Sequence, residues 1–363
     1  MALMDSFFQL KTYFVIVSFI TVFVILNLLG SMRYIYAYKE IMKKIEMPTS
    51  SSMYIYLMSN SPIISDKKVM LNYNITSKTA MAVAPTPTPR PNNCTGCFQH
   101  NFKYMISNEA VCNVKGNNSV ELFGFIFTIH SNSEQRNAIR KTWMSFAGNN
   151  TSNVRYLFML GKSSNDELNK KVAEEATIFN DILMEDFHDS YQNLTYKTMM
   201  GFKYVTKFCN HTKYVLKIDD DIWLNMPSLL KLLQKEGNKL TAAVGGACHA
   251  SAGPIRSKSS KWYASFTSYP SNSYPGFCSG TGYVLSANVA QKVYEVSKNV
   301  PFFHLEDVYV ALCIKKLNYK LIRFSGFLKG WSKNNLCAMK SDDTRTCHQV
   351  PPNILTSAWA AVC

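Results

Sequence analysis

Three consecutive carboxylates, Asp219, Asp220 and Asp221, follow directly on the apolar run KYVLKI (213–218) and lead into Ile-Trp-Leu-Asn. Adjacent carboxylates repel one another, and a bound cation relieves that repulsion. A solvated acidic loop or helix cap is the ordinary setting for such a tripeptide, but strand-like apolar runs on both sides favour a divalent ion at a strand end. Hard oxygen donors suit Mg²⁺ or Mn²⁺ better than zinc. A second acidic pair, Glu306 and Asp307, precedes the apolar stretch VYVALC. Neighbouring side chains on a regular backbone cannot both address one atom, so at most one of the two can act as a base at a given hydroxyl. As the first residues of a helix they would equally meet its dipole.

The chain carries 39 Lys and Arg against 24 Asp and Glu, a formal charge of +15. That balance suits an anionic substrate or membrane. Nucleic acid is disfavoured, because the sequence has no run of five Lys/Arg, no zinc-finger spacing and no RNP-type aromatic motif. With 47% apolar and 17% charged residues the chain is too apolar for disorder and too polar for a multi-span membrane protein.

A sheet has to position these acids. From Glu121 onward, ELFGFIFTI, VRYLFML, DIL and KYVLKI alternate with helical patterns around 134–143, in DELNKKVAEEA and across 191–209. Continuous apolar strands separated by helices predict an α/β domain with a mostly parallel sheet covered on both faces. Leu194, Thr198, Phe202, Val205 and Cys209 recur at spacings of three and four, so one stripe of that helix faces a core. In such sheets ligands sit beyond the carboxyl ends of the strands, where the Asp triplet falls.

Upstream, residues 12–32 contain no charge. A helix of that length reaches roughly 30 Å, about one hydrocarbon core. It is longer than the apolar core of a cleaved signal peptide and lacks a small-x-small site. The reading is a cytosolic tail (1–11), a transmembrane signal-anchor (12–32), a stem (33–118) with the stiff Pro-Thr segment APTPTPRP, and a globular body (119–363). Arg33, Lys39, Lys43 and Lys44 follow the span and only Lys11 precedes it, which by charge alone would place the body in the cytoplasm. Seven N-x-S/T sequons (Asn74, Asn93, Asn117, Asn149, Asn150, Asn193, Asn210) and ten cysteines argue for a lumenal, oxidising space. Cys94-x-x-Cys97 with Cys112 fits local disulfide use, since no second pair completes a zinc site.

Five ordered segments then carry a resemblance: RNAIRKTW (136–143), EDFHDSYQNLTYKT (185–198), YVLKIDDDIWLN (214–225), KWYASFTSYPSNSYPGFCSGTGYVLS (261–286) and EDVYVALC (306–313). Together, from Glu121 to the C-terminus, the chain resembles the β-1,3-glycosyltransferases of the galactosyltransferase family, glycosyltransferase family 31, which includes β-1,3-N-acetylglucosaminyltransferases and Fringe-like enzymes. The resemblance implies a GT-A, Rossmann-like domain on a Golgi type II anchor, with the catalytic domain lumenal, that inverts the anomeric centre of a UDP-sugar. It implies Asp221 and His348 as ligands of the Mn²⁺ or Mg²⁺ that bridges the diphosphate. Asp219 and Asp220 would lie near the ribose and sugar, Arg136, Arg140 and Lys197 at the UDP end, and Gly280, Thr281 and Gly282 in a turn approaching the sugar. Asp307 would be the base, with Glu306 beside the substrate. The plainer readings are a helical ion pair for the arginines, a helix-surface position for Lys197, a surface His348 and an ordinary glycine turn.

Three positions depart from the family pattern: Gln135, Met144 and Ala311 stand where Arg, Gly and Gly are usual. The expected disulfides are Cys337 with Cys347, pinning the loop before His348, and Cys209 with Cys278. Glycans are expected at Asn74, Asn93, Asn117, Asn149, Asn150 and Asn210. Asn193, where a helix begins beside the nucleotide site, is expected to be unmodified. The functional expectation is transfer of galactose from UDP-galactose in β-1,3 linkage to a terminal sugar of a glycolipid or glycoprotein. UDP-N-acetylglucosamine or UDP-N-acetylgalactosamine as donor, and a catalytically silent Golgi glycan-binding protein, are the alternatives. A homo-oligomer is left open.

Overall fold

Four strands, β2 (Leu122–Phe127), β3 (Val154–Lys162), β4 (Ile182–His188) and β5 (Tyr214–Asp219), lie parallel in the order β4-β3-β2-β5. They belong to a computed structural model that describes residues 90–91, 94–114 and 119–363. The expected tail, membrane span, most of the stem and the sequons at Asn74, Asn93 and Asn117 lie outside those residues. Among the described residues no helix is long and apolar enough to cross a membrane.

Helices α1 (Ser133–Lys141), α2 (Asp166–Phe179) and α3 (Leu194–Phe208) connect these strands where the sequence pattern places them. Period-two burial with both faces apolar requires these strands to be covered on both sides. Phe123, Phe125 and Phe127 of β2 enter one core and Leu122 and Ile126 the opposite one. The start of α2 is set by Asn165, whose side chain accepts from Glu167 N and Leu168 N, and its end by Asn180 in the left-handed region at φ 52°. On α3 the expected stripe is buried at Thr198, Phe202, Val205 and Cys209, but so are Lys197, Met199, Met200 and Tyr204. The helix is enclosed on more than one side, as when Tyr204 donates to the Asn108 carbonyl.

Beyond β5 the chain forms β6 (Ile222–Leu224), α4 (Met226–Glu236), β7 (Ala243–His249), β8 (Phe277–Ser286), α5 (Ala287–Ser297), α6 (Glu306–Lys316), β9 (Lys320–Arg323), α7 (Cys337–Lys340), β10 (Thr346–His348) and α8 (Pro352–Ala360). With β1 (Tyr104–Ile106) the main sheet reads β1-β4-β3-β2-β5-β8-β7-β9. The pairs β1–β4, β5–β8 and β8–β7 are antiparallel, so the sheet is mixed, where the sequence suggested a mostly parallel one. After β5 the strand–helix–strand alternation ends: β7 reaches β8 through an irregular excursion (250–276) with no helix, and the two strands run antiparallel. A separate ribbon pairs β10 with β6 antiparallel.

Residues 94–114, which the sequence reading counts with the stem, pack on this body. Strand β1 pairs with β4, and Phe98, Val111 and Cys112 are buried. Cysteine pairs at bonding distance are Cys94–Cys97, Cys112–Cys209, Cys248–Cys278 and Cys337–Cys363. This corrects both expected disulfides. Cys209 reaches Cys112, and Cys278 lies opposite Cys248 in the β7–β8 register. Cys347 is free and buried, because on β10 it faces Trp223.

Among the sequons described, Asn149 and Asn210 are exposed. The Asn150 amide is held by Tyr156, donating to its carbonyl at 3.0 Å and accepting from its N–H at 2.7 Å. Asn193 precedes α3 and donates to the His188 carbonyl at 2.8 Å.

Candidate active site

The chain visits β2, β3 and β4 on one side and then crosses back to place β5 on the other flank of β2. That reversal opens a crevice beyond the carboxyl ends of β2 and β5, the position where open α/β sheets hold ligands. Phe127 pairs with Asp219 at the strand ends, and Asp220 N donates to the Phe127 carbonyl at 2.9 Å. The three aspartates then diverge.

Asp219 accepts from Lys217 Nζ at 2.6 Å. Asp220 turns inward and accepts from Thr128 Oγ1 at 2.7 Å and Asn132 Nδ2 at 3.0 Å. Burial raises its carboxyl above the ordinary range, opposed by those two donors. Asp221 turns outward, and its Oδ2 lies 3.2 Å from His348 Nε2, both side chains partly exposed at 45% and 38%. The β10–β6 ribbon makes that meeting, setting His348 opposite Ile222, while Val350 N donates to the Asp221 carbonyl at 2.8 Å. Gln135, the departure from Arg, donates from Nε2 to the carbonyls of Asp220 at 2.6 Å and Val350 at 3.3 Å, and so ties this ribbon to α1.

The second acidic pair begins α6. Glu306 is 5% exposed and accepts at Oε2 from Thr198 at 3.1 Å and Tyr283 at 3.2 Å, with Lys217 Nζ 3.1 Å from Oε1. Burial pushes its carboxyl up to about 7, with Lys217 acting against the shift. Asp307 accepts from Gly280 N at 3.2 Å and Val308 N at 2.8 Å. Its carboxyl is also raised by burial, opposed by those two amides.

Gly280, Thr281 and Gly282 lie inside β8, which corrects the expected turn. Gly282 faces Ile218 of β5, so the segment runs alongside the acid-bearing strand. A Cβ on Gly280 would fall 2.5 Å from Glu306 Oε1, so the glycine is needed for the close approach of α6.

Lys217, which the sequence reading passed over as part of an apolar strand, joins the two acid groups. Its ammonium contacts Asp219, Glu306 and the Gly280 carbonyl. Burial alone would lower its pKa, but Asp219 and Glu306 outweigh that and hold it above the ordinary lysine value. The available signal was a single Lys at an inward position of KYVLKI, two residues before the first aspartate.

Three residues expected at the UDP end are spent on the fold. Arg136 is fully buried and binds Glu175 at 2.6 and 2.9 Å and the Ile129 carbonyl at 2.7 Å. Arg140 binds Asp181 at 2.7 and 2.8 Å and Glu175 at 2.7 Å, with its guanidinium over the Phe179 ring. Neither is the solvated helical pair of the plainer reading, since their partners come from α2 and from Asp181 just before β4. Lys197, 1% exposed, pairs with Asp189 at 2.8 Å and donates to the Thr128 carbonyl at 2.8 Å. It is therefore not a surface lysine.

Asp221 and His348 form an oxygen-plus-imidazole pair at a solvent-facing edge, a donor set that fits Mn²⁺ or Mg²⁺ completed by phosphate and water. Among the described residues no group of three or more His, Cys, Asp and Glu converges to make a closed metal cage.

A strand-end cluster of carboxylates at the switch point of a mixed sheet defines an α/β enzyme site. The galactosyltransferase family model matches residues 134–324, and this chain belongs to that family. Over 260 residues it is 40% identical to the beta-1,3-galactosyltransferase 1 of Mus musculus and of Homo sapiens, covering 72% of this chain and 78% of theirs. It is 39% identical over 236 residues to the beta-1,3-galactosyltransferase 5 of Homo sapiens, covering 64% of this chain and 75% of that one. Among solved structures, the galactosyltransferase LgtC with donor and acceptor sugar analogs aligns at TM-score 0.35 and 10% identity, over 66% of this chain and 97% of that one.

Proposed function

We propose that this protein is an inverting, metal-dependent GT-A galactosyltransferase that moves galactose from UDP-galactose in β-1,3 linkage to a terminal sugar of a glycolipid or glycoprotein. It would work in the Golgi lumen on a single-pass type II anchor. The observation that carries the reading is that Lys217 joins the two acid groups, 2.6 Å from Asp219 of the triplet and 3.1 Å from Glu306, with His348 beside Asp221, in a chain 40% identical to beta-1,3-galactosyltransferase 1.

A divalent ion held by Asp221 and His348 would neutralise the leaving diphosphate. The chain's own residues account for the rest. Asp307 takes the proton of the acceptor hydroxyl as that oxygen attacks the anomeric carbon from the face opposite the leaving UDP. Its carboxylate is aimed by the N–H groups of Gly280 and Val308. Glu306 is 5% exposed and braces Tyr283, Thr198 and Lys217, which supports Asp307 as the base within the acidic pair.

A donor-by-acceptor screen of the purified chain, with linkage analysis of the product and a chelator arm, tests the reading. The expected result is a β-1,3-galactoside whose formation stops in the chelator and returns with Mn²⁺. Preference for UDP-N-acetylglucosamine would overturn the donor, and undiminished turnover in chelator would overturn the metal.

A further inference from the structure

The excursion between β7 and β8 is ordered by its own contacts. Arg256 donates to the carbonyls of Ala264 at 2.8 Å and of Tyr269 and Ser271 at 2.9 Å, and Ile255 bridges Tyr263. Tyr269 and Tyr274 are buried against Phe303, three residues before Glu306. Cys248 and Cys278 join its two ends. A loop fixed this firmly nonetheless leaves Trp262 49% exposed.

Tyr191, 39% exposed in the turn that leads into α3, stands beside it. The Lys261 ammonium bridges the two, 4.8 Å from the Trp262 ring and 5.8 Å from the Tyr191 ring. The Tyr191 hydroxyl is pushed up to about 12, first by burial and then by Asp307, Asp219 and Glu306. Thr195, four residues on from Tyr191, donates to the Phe303 carbonyl at 2.6 Å, and Tyr269 and Tyr274 of the excursion pack on Phe303, so both ring-bearing segments are anchored on the stretch that leads into Glu306 and Asp307, the base side of the crevice. Two large rings are thus left partly exposed on a support held by its own hydrogen bonds. A pyranose has an apolar face of C–H groups that packs on an aromatic ring and a rim of hydroxyls that hydrogen-bond, and carbohydrate sites join those two features.

We propose that Trp262 and Tyr191 form a platform for the terminal pyranose of the acceptor glycan, with Lys261 donating to its hydroxyls. The inference rests on the galactosyltransferase reading. It adds to that reading where the acceptor lies and that recognition is of a neutral sugar face. The base must stand next to the attacking hydroxyl, so rings on the Asp307 side carry the acceptor, and the donor's diphosphate keeps to the Asp221 side.

The test uses the full chain in detergent, UDP-galactose, and methyl β-N-acetylglucosaminide as acceptor probe. Trp262→Ala and Tyr191→Ala should each raise the KM for the probe roughly tenfold or more, as expected for loss of a ring contact. The KM for UDP-galactose and the acceptor-free release of UDP should stay within about twofold of wild type. Trp262→Phe should recover most of the affinity, because it restores a flat ring. An unchanged probe KM in both alanine variants overturns the platform, and so does a rise confined to UDP-galactose, which would assign the rings to the donor. Trp262 emission provides a separate readout, taken as wild type minus Trp262→Phe during titration with the probe. Quenching in a protein that transfers nothing keeps the platform while the galactosyl reading fails; no quenching in an active protein overturns the platform alone.

Discussion

Replacing Lys217 by Met deletes the ammonium between Asp219 and Glu306 while keeping an unbranched side chain of similar length. Loss of one partner from a buried ion pair ordinarily costs about 3–5 kcal/mol. Here the loss depends on pH, because Glu306 already holds its proton up to about 7 against an ordinary 4.5. An acid whose pKa is raised by folding binds more protons folded than unfolded between those values. Stability therefore falls as pH rises through that interval, to a penalty of about 3 kcal/mol that levels off above pH 7. Without Lys217 nearby, the Glu306 carboxyl moves higher still and the levelling is lost. The variant should lie nearest the wild type around pH 6, then diverge by an increment approaching about 1.4 kcal/mol per pH unit above pH 8. Asp219, a third exposed, retains water and contributes less. Urea unfolding of both proteins at pH 6, 7, 8 and 9 measures the divergence, and adding Glu306→Gln to the variant should abolish it. An equal loss at all four pH values, or none, would refute the claim that Lys217 is what keeps Glu306 ionised.

Asp307→Asn should lower galactosyl transfer by roughly 10²- to 10⁴-fold with UDP-galactose affinity nearly unchanged, since it removes a basic lone pair and little else. A variant within a few-fold of wild type, alongside an inactive but folded Glu306→Gln, would move the base to Glu306. Arg136→Met should destabilise by about 1.5–3 kcal/mol, since Glu175 loses one charged partner and keeps Arg140, while KM for UDP-galactose per folded molecule holds; a tenfold rise in that KM at unchanged melting temperature would make Arg136 a donor contact. Non-reducing peptide mapping should join Cys337 to Cys363 and find Cys347 alkylated only after unfolding, whereas a Cys337–Cys347 peptide would contradict the β10 register.

The elements that frame the crevice were legible because their signals are local. Short apolar runs with both faces hydrophobic, alternating with helical stretches that keep their spacing, fit buried strands, and the aspartate triplet following one such run falls at the carboxyl edge of the sheet. The meeting of Asp221 with His348 was open to the sequence only through resemblance, because more than a hundred residues separate them and the pairing of β10 with β6 brings them together. Partner identity was the part that could not be read along the chain. Arg136, Arg140 and Lys197 have the types expected around a diphosphate, yet Glu175, Asp181 and Asp189 arrive from neighbouring elements and take their charge. Cysteine spacing misassigned Cys209, Cys278 and Cys337, since pairing follows strand register and the folding back of the termini. Lys217 looked like an interruption in an apolar strand until β8 and α6 closed over it, and burial then made it the counter-charge shared by both acid groups. Sequence thus determined the strands, the helices and the chemical types on offer. Tertiary contacts decided which charges neutralise one another inside and which remain free to meet a substrate, because that choice depends on distance and burial between residues far apart in the chain.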